Sequence, residues 1–548
     1  MTSPRGSSAV GGPAGGDETA TALAAGGVAH AEAVKASGAP AGDAPAAVRD
    51  AEPKRYDAGP AWARWLPPAL ALLLCLWRIN KPSFWRDEAA TLAAIRRPLG
   101  DLIKMLGNVD AVHGAYYLMM WPIEHVLGAG PLAMRLPSAL AAAVAVAATA
   151  AIGRRLISPW AGLAAGLLLA ILPVTSRYGQ EARSYELVVA AATIASYLLV
   201  RVLAADPAAR RRWIIGYAVS MAALGVLNIF GLLMIPAHAL TVAVVCRRDL
   251  RDPAARRLVA GWLAAVAAGV IVSSPLLVLG WLQRGQIAWL SVNTSSSGLN
   301  TLFALSGSFL VTTAVLAVIG VALVLSTEAS RQRRTMSWPA RLWETGLPWL
   351  VVPPVILLIA SHVQPVYTSR YILICVPALA LIGGAAIASY AEMAAVISLA
   401  VVLIAGAPTQ IAQRNYAGHY DDILAVDQIV ATHARPGDFV LYTNPNAESF
   451  GAAYSFGLGK LPNIALKQGP IPSATLGGSI ASLAQIRSRL AHAKRVWVVE
   501  INRLVTDPQL LGLNGLPVSQ TPITAGLPLA LHAYWREHGD SLLLFTHV

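Results

Sequence analysis

The sequence predicts a polytopic α-helical membrane protein with a small extracytoplasmic α/β domain at its carboxy-terminal end. Three observations predict it. Of 548 residues, 56% are hydrophobic and only 13% charged, and the mean hydropathy is +0.56, well to the apolar side of globular composition. Apolar segments of about 16 to 24 residues, the length that crosses about 30 Å of hydrocarbon, recur between Ala61 and Ala407. Arginine clusters separate them: Arg154-Arg155, Arg210 to Arg212, Arg247-Arg248 with Arg256-Arg257, and the RQRR run at 331–334. Basic loops of this kind stay on the cytoplasmic side. The net charge of +13 therefore reports topology, and no helix-turn-helix or RNA-binding pattern points to nucleic acid.

Taken in order, residues 1–60 are rich in Ala, Gly, Pro and Asp, with too little apolar surface to offset the entropy of ordering, and read as a disordered cytoplasmic tail. Ala61 to Asn80 is the first span, an uncleaved signal anchor that delivers Lys81 to the outer face. It opens a membrane domain over 61–410 whose first external loop is 81–135. Within that loop Tyr116 to Leu127 is short and contains Pro122, so it reads as an amphipathic helix in the outer interface. The following spans are Leu136–Gly153, Trp160–Pro173, Leu187–Leu203, a hairpin from Trp213 to Cys246 around Asn228 and Gly231, Leu258–Gly280, Leu302–Leu325, Leu347–Ala360, Ile372–Ser389 and Met393–Ala407. They bring the total to about eleven. An odd number puts residues 411–548 on the same side as the first loop. In that region Asp421–Ala434 and Ala481–Ala493 read as helices, while PGDFVLYT, RVWVVEI and SLLLFTHV read as buried strands, giving an α/β layer domain.

Cys75, Cys246 and Cys375 all fall in apolar segments, which leaves no disulfide framework and no CxxC. The histidines lack metal-ligand spacing, and no phosphate-binding glycine loop is present, so neither a metal nor a nucleotide cofactor is expected. The chemistry-bearing residues gather elsewhere. Three segments end on the outer face: FWRDEAAT with DAVHGAYY and MRLPS, then YGQEARSYE, then PVYTSRY. They bring Arg86, Asp87, Glu88, Asp110, His113, Tyr117, Arg135, Tyr178, Gln180, Glu181, Arg183, Tyr185, Arg370 and Tyr371 to one membrane border. A charge at mid-membrane costs about 2.5 to 3.5 kcal/mol on insertion scales, so charges at helix mouths need partners or a task. An Arg-Asp pair can simply close a helix, and Glu181 with Arg183 can be a structural ion pair. The tyrosines can be helix packing. As one cavity, however, the set suits group transfer from a phosphate-activated donor held in the membrane: guanidinium forks match phosphate oxygens, and a carboxylate takes the proton of an incoming hydroxyl. Asp87 or Glu88 can be that base, the other holding the acceptor or orienting Arg135.

FWRDEAAT, DAVHGAYYL, MRLPSAL, GRRL, YGQEARSYEL and SRYILICVPAL, in this order within residues 62–410, resemble the polytopic C-class glycosyltransferases (GT-C). The branch is that of family-39-like bacterial mannosyltransferases, protein O-mannosyltransferases and aminoarabinose transferases. The resemblance implies a polyprenyl-phosphate donor of mannose or another hexose or pentose, and an extracytoplasmic glycan, lipid or protein acceptor. It further implies an active site on the outer face of the bacterial plasma membrane and an inverting, metal-independent reaction. The family's acidic loop motif falls on Asp87 and Glu88, which makes Asp87 the expected base, and its Arg before the second span falls on Arg135. Val112-His113-Gly114-Ala115 stands where the family carries His-Pro-Pro, so acceptor type is not implied. A lipid-linked sugar transporter or flippase would also be polytopic, but such folds carry duplicated halves and midplane polar sites, neither of which the sequence displays. Reporter fusions after Arg334 and after Asn415 are expected to report opposite sides of the membrane; the same side for both overturns this topology.

Overall fold

The structure, a computed structural model, describes residues 59–247, 249, 251–287, 301–331, 340–364, 366–419, 421–443, 445–501, 529–537 and 540–547. The expected tail up to residue 58, the SVNTSSSGLN stretch and most of the RQRR loop lie outside them. Helix α1 (Trp62–Leu76) is followed by three short helices in the first loop, α2 (Arg86–Ile95), α3 (Leu99–Asn108) and α4 (Gly114–Leu127). The bundle continues with α5 (Pro131–Leu156), α6 (Pro159–Ile171), α7 (Pro173–Gly179), α8 (Tyr185–Ala204), α9 (Pro207–Leu227), α10 (Met234–Cys246) and α11 (Pro253–Leu282). It ends with α12 (Phe309–Arg331), α13 (Ala340–Val363), α14 (Val376–Ala388) and α15 (Glu392–Ala412). Among the described residues eight helices are long and apolar enough to cross a membrane, or nine if a bent pair is one span. The sequence reading differs in two places. Helix α1 has only 15 residues, and α9 opens on Arg210 to Arg212, which lowers its apolar content.

Local chemistry sets the helix ends. Ser158 accepts a hydrogen bond from Ala161 N at 3.1 Å, and Pro159 occupies the first turn of α6, where its missing N–H costs nothing. Pro173 ends that helix: the residue before a proline avoids the helical region, and Leu172 is extended at ψ 128. Helices α6 and α7 therefore meet at 61°, which turns the chain toward Arg177 and Tyr178. The chain breaks at Asn228, where the hairpin was expected, with the Asn228 amide oxygen accepting from Phe230 N at 2.9 Å.

Small residues let the central helices approach closely. A Cβ on Gly384 of α14 would meet the Cα of Ala165 in α6 at 2.4 Å, and one on Gly153 of α5 would meet the Cα of Gly162 at 2.8 Å. In lipid, where association rests on packing, such contacts replace the hydrophobic drive.

After α15 come α16 (Ile423–His433), β1 (Phe439–Tyr442), β2 (Leu466–Gln468), β3 (Ser479–Ile480), α17 (Leu483–His492), β4 (Arg495–Ile501), β5 (Leu529–Glu537) and β6 (Asp540–His547). The main sheet has the order β1-β4-β6-β5, with β1 parallel to β4 and the other pairs antiparallel; β2 and β3 form a separate ribbon. Strand periodicity of two gives the sheet two apolar faces. Leu441, Val496, Val498, Leu543 and Phe545 face Ile486 and Leu490 of α17. Val440, Tyr442, Trp497, Val499, Leu542 and Leu544 share a core with Leu92, Ile95, Met105 and Tyr116 of the first-loop helices. The second face of the sheet thus belongs to one apolar cluster with the first-loop helices and with Ile423, Val426 and Val430 of α16. At the α6–α14 crossing, Gly384→Ala is expected to cost about 1–3 kcal/mol of overpacking, read as a lower melting temperature in detergent; an unchanged melt would remove this contact from the fold's support.

Candidate active site

Helix α2 carries two acids in its first turn, where carboxylates meet the positive end of the helix dipole. Successive helical residues point about 100° apart, so Asp87 and Glu88 are given to different surroundings. This replaces the irregular loop in which their tasks could be exchanged.

Glu88 faces inward. Its Oε1 accepts from Arg135 Nε at 2.8 Å and Ala182 N at 2.8 Å, and its Oε2 accepts from Arg135 Nη2 at 2.7 Å. Arg135 donates its remaining N–H groups to the carbonyls of Ile79 at 2.7 Å, Pro82 at 3.0 Å and Ser83 at 3.1 Å. Both side chains are 0% exposed. Burial would raise the Glu88 carboxyl, but Arg135 overrides it and holds the group far below the usual carboxylate range. All five donors of Arg135 are engaged. Arg135 and Glu88, both expected at the substrate, form a closed pair in the structure.

Asp87 faces the mouth of the bundle. Arg370 Nη1 donates to its Oδ2, and the side chains of Asp87 and Arg370 are 22% and 25% exposed. The Arg370 guanidinium lies 4.8 Å from the Trp85 ring centroid, and its Nη1 reaches Tyr185 Oη at 3.5 Å. Arg183 approaches from the other side, donating from Nη1 to the Asp87 carbonyl at 3.3 Å and to Tyr117 Oη at 3.2 Å. Thr91 donates its hydroxyl to the same carbonyl at 3.2 Å. Burial raises the Asp87 carboxyl, but Arg370 first and then Arg183 outweigh it and hold it below the ordinary aspartate range.

The network extends into α4. Tyr117 donates to Asp110 Oδ2 at 2.6 Å, and Asp110 has a left-handed backbone at φ 63. His113 Nε2 lies 2.9 Å from Arg183 Nη2. Burial, then the positive Arg183, pushes the His113 imidazole down to about 4, so the ring is neutral and accepts from Arg183. The Arg183 Nε has no hydrogen-bond partner among the described residues, which is costly in a buried guanidinium.

Glu181 accepts from Arg177 Nη1 at 2.8 Å. Its other oxygen is unpartnered among the described residues, and burial raises the carboxyl despite Arg177. Gln180 turns away from the mouth and closes α1, donating to the carbonyls of Cys75 at 2.7 Å and Trp77 at 2.8 Å. Tyr178 is edge-on to Tyr185 with centroids 5.8 Å apart, and Tyr371 stacks on Phe230 at 3.9 Å. Arg86 leaves the cluster for Asp421.

The structure thus joins Asp87, Arg370, Arg183, His113, Tyr117, Asp110 and Tyr185 in one connected network. It adds residues that sequence reasoning did not single out. Thr91 holds the Asp87 main chain, Trp85 carries Arg370 on one side and Arg177 at 5.6 Å, and Arg177 pairs with Glu181. The Arg177–Glu181 spacing of four on a helical stretch was the available signal; nothing local marks Trp85 or Thr91. Among the described residues no three His, Cys, Asp or Glu side chains gather as they would around a metal ion.

The dolichyl-phosphate-mannose-protein mannosyltransferase family model matches residues 114–281. No curated protein matches the chain by sequence. In structure the chain is similar to ArnT from Cupriavidus metallidurans in the apo state, with TM-score 0.54 at 13% identity over 87% of this chain and 97% of that one. Against the same protein bound to undecaprenyl phosphate the TM-score is 0.56, with 13% identity and the same coverage of 87% and 97%. The chain has the GT-C fold, the architecture of polytopic membrane glycosyltransferases.

Removing one partner of a buried ion pair leaves the other charge uncompensated, at about 3–5 kcal/mol. Glu88→Gln is accordingly expected to lower folded yield and melting temperature in detergent, and a wild-type melt would show that the pair does not hold the loop.

Proposed function

We propose that the protein is a membrane glycosyltransferase that moves a sugar from a polyprenyl-phosphate donor to an acceptor on the extracytoplasmic side of a bacterial plasma membrane. The transfer proceeds with inversion and with Asp87 as general base. The observation that carries this reading is the Asp87–Arg370 pair, a carboxylate and a guanidinium meeting at the bundle mouth with Arg183 behind them. The GT-C fold supports it, as does the undecaprenyl phosphate bound to ArnT, whose fold the chain shares.

In the proposed reaction the donor phosphate competes with Asp87 for Arg370. Its guanidinium fork suits the phosphate oxygens, and Arg183 supplies a second positive charge held in place by Tyr117 and His113. Losing Arg370 frees Asp87 and raises its basicity at the moment it is needed. The acceptor oxygen then attacks the anomeric carbon from the face opposite the phosphate and passes its proton to Asp87. The bond from the anomeric carbon to the phosphate oxygen breaks, and polyprenyl phosphate leaves with the electron pair. Glu88, locked to Arg135, keeps α2 in place and takes no proton.

Loss of such a base typically costs 10²- to 10⁴-fold in rate, so Asp87→Asn, which releases Arg370, is expected to bind donor at least as tightly and to transfer by that factor more slowly in purified protein in lipid nanodiscs. Arg370→Lys keeps the charge without the fork and should retain part of the turnover. Near wild-type turnover in Asp87→Asn overturns the assignment. Asp87 must be ionised to act, and Arg370 holds its carboxyl down in the free protein. The acidic limb of kcat/KM is therefore expected at lower pH than the acidic limb of kcat, where donor has drawn Arg370 away. The reverse order would refute the exchange of Arg370.

A further inference from the structure

Between α15 and α16 the chain passes from the bundle to the C-terminal domain, and residues 414–419 and 421–424 run along the first loop. Arg414 donates to the carbonyls of Leu74 at 2.6 Å and Trp77 at 3.1 Å. The Tyr416 carbonyl accepts from Ser83 N at 2.8 Å, and the Lys81 ammonium lies 3.9 Å from the Tyr416 ring centroid. The next contact is at the anchor itself, where the buried His419 has Nδ1 3.9 Å from Glu88 Oε2. Leu424 N closes the run with a bond to Ser83 Oγ at 3.0 Å.

Asp421 makes the most informative of these contacts. Its Oδ2 accepts from Arg86 N at 3.0 Å and from Arg86 Nε at 3.0 Å, and its Oδ1 accepts from Arg86 Nη2 at 2.8 Å. Arg86 is the first residue of α2, so its N–H has no acceptor within the helix. A side-chain oxygen at the preceding position normally meets such first-turn donors, but Trp85 stands there. A carboxylate 335 residues away does so instead, one residue from Asp87.

We infer that Asp421 is a positioning residue for the transfer reaction: by capping α2 and gripping Arg86 it fixes the angle at which Asp87 meets Arg370. The inference rests on the reading of Asp87 as the base. It makes the junction strap part of the catalytic machinery without contact to substrate.

The test uses the full chain in nanodiscs, with Asp421→Asn, Asp421→Glu and Asp87→Asn compared for donor turnover across pH. A small misplacement of a reacting group costs up to about 100-fold, so Asp421→Asn is expected to lower kcat about 10- to 100-fold while donor KM stays within about twofold. The acidic limb of kcat/KM should move to higher pH, because an Asp87 loosened from Arg370 loses the contact that holds it down. Asp421→Glu, which keeps the carboxylate, should fall between this variant and the parent. A wild-type kcat and limb in Asp421→Asn overturns the inference, and so does a lower kcat with an unmoved limb, which is the mark of a structural contact alone. If Asp421→Asn does not fold, Asp421→Glu carries the test: a raised limb supports the inference and a wild-type limb overturns it. An inert Asp87→Asn beside wild-type Asp421 variants removes only this inference, whereas full turnover in Asp87→Asn removes the base assignment and this inference with it.

Discussion

The bidentate bond between Glu88 and Arg135 is the constraint on which the rest of the site depends. Two full charges without water are tolerated only when every donor and acceptor is matched, and here the matching reaches three parts of the chain. Arg135 belongs to α5, its other donors take the carbonyls of 79–83, and Glu88 also takes the Ala182 amide. The exit from α1, the start of α2 and the turn before α8 are thereby fixed around one point. Asp87 gains its direction from this. With Glu88 bound inward, the helix leaves its neighbour no choice but the mouth.

Around that fixed point the site uses positive charge in two ways. Arg135 neutralises a structural carboxylate and is saturated, whereas Arg370 holds a part-exposed carboxylate by a single nitrogen. A contact of the second kind can be exchanged for a ligand's oxygen; one of the first kind cannot without undoing the loop. Sequence motifs rank these arginines alike. Their hydrogen-bond counts separate a saturated guanidinium from one that meets its carboxylate through a single nitrogen.

Much of the fold was legible because membrane helices and buried strands leave strong periodic signals. Apolar length located the spans, Asn228 and Gly231 marked a break between two helices, and RVWVVEI and SLLLFTHV became β4 and β6. The bend at Leu172 was not read, since Pro173 looked like the end of a span when it marks a change of direction. The strand Leu529–Glu537 was also missed, its alternation being interrupted by a register shift between Leu531 and Ala533. In the site, residue types at the membrane border marked residues that the structure joins in one network, but not the division by which Glu88 turns inward to Arg135 while Asp87 meets Arg370. That division follows from α2 being a helix, and its capping partner Asp421 is too far along the sequence for local pattern to disclose it.

The second apolar face of the C-terminal sheet has a consequence for how the molecule is made. Leu92, Ile95 and Met105 share an apolar cluster with Trp497, Leu542 and Leu544, and Arg86 finds its carboxylate 335 residues later in the chain. At synthesis rates of about 5–20 residues per second, that separation is roughly 20 to 70 s. For that interval Arg86 and the main-chain N–H that opens α2 wait for Asp421, and the strands of the sheet follow later still. The first loop is therefore inserted long before the carboxylate that grips the start of α2 is made, and the sheet that completes its apolar cluster is finished last.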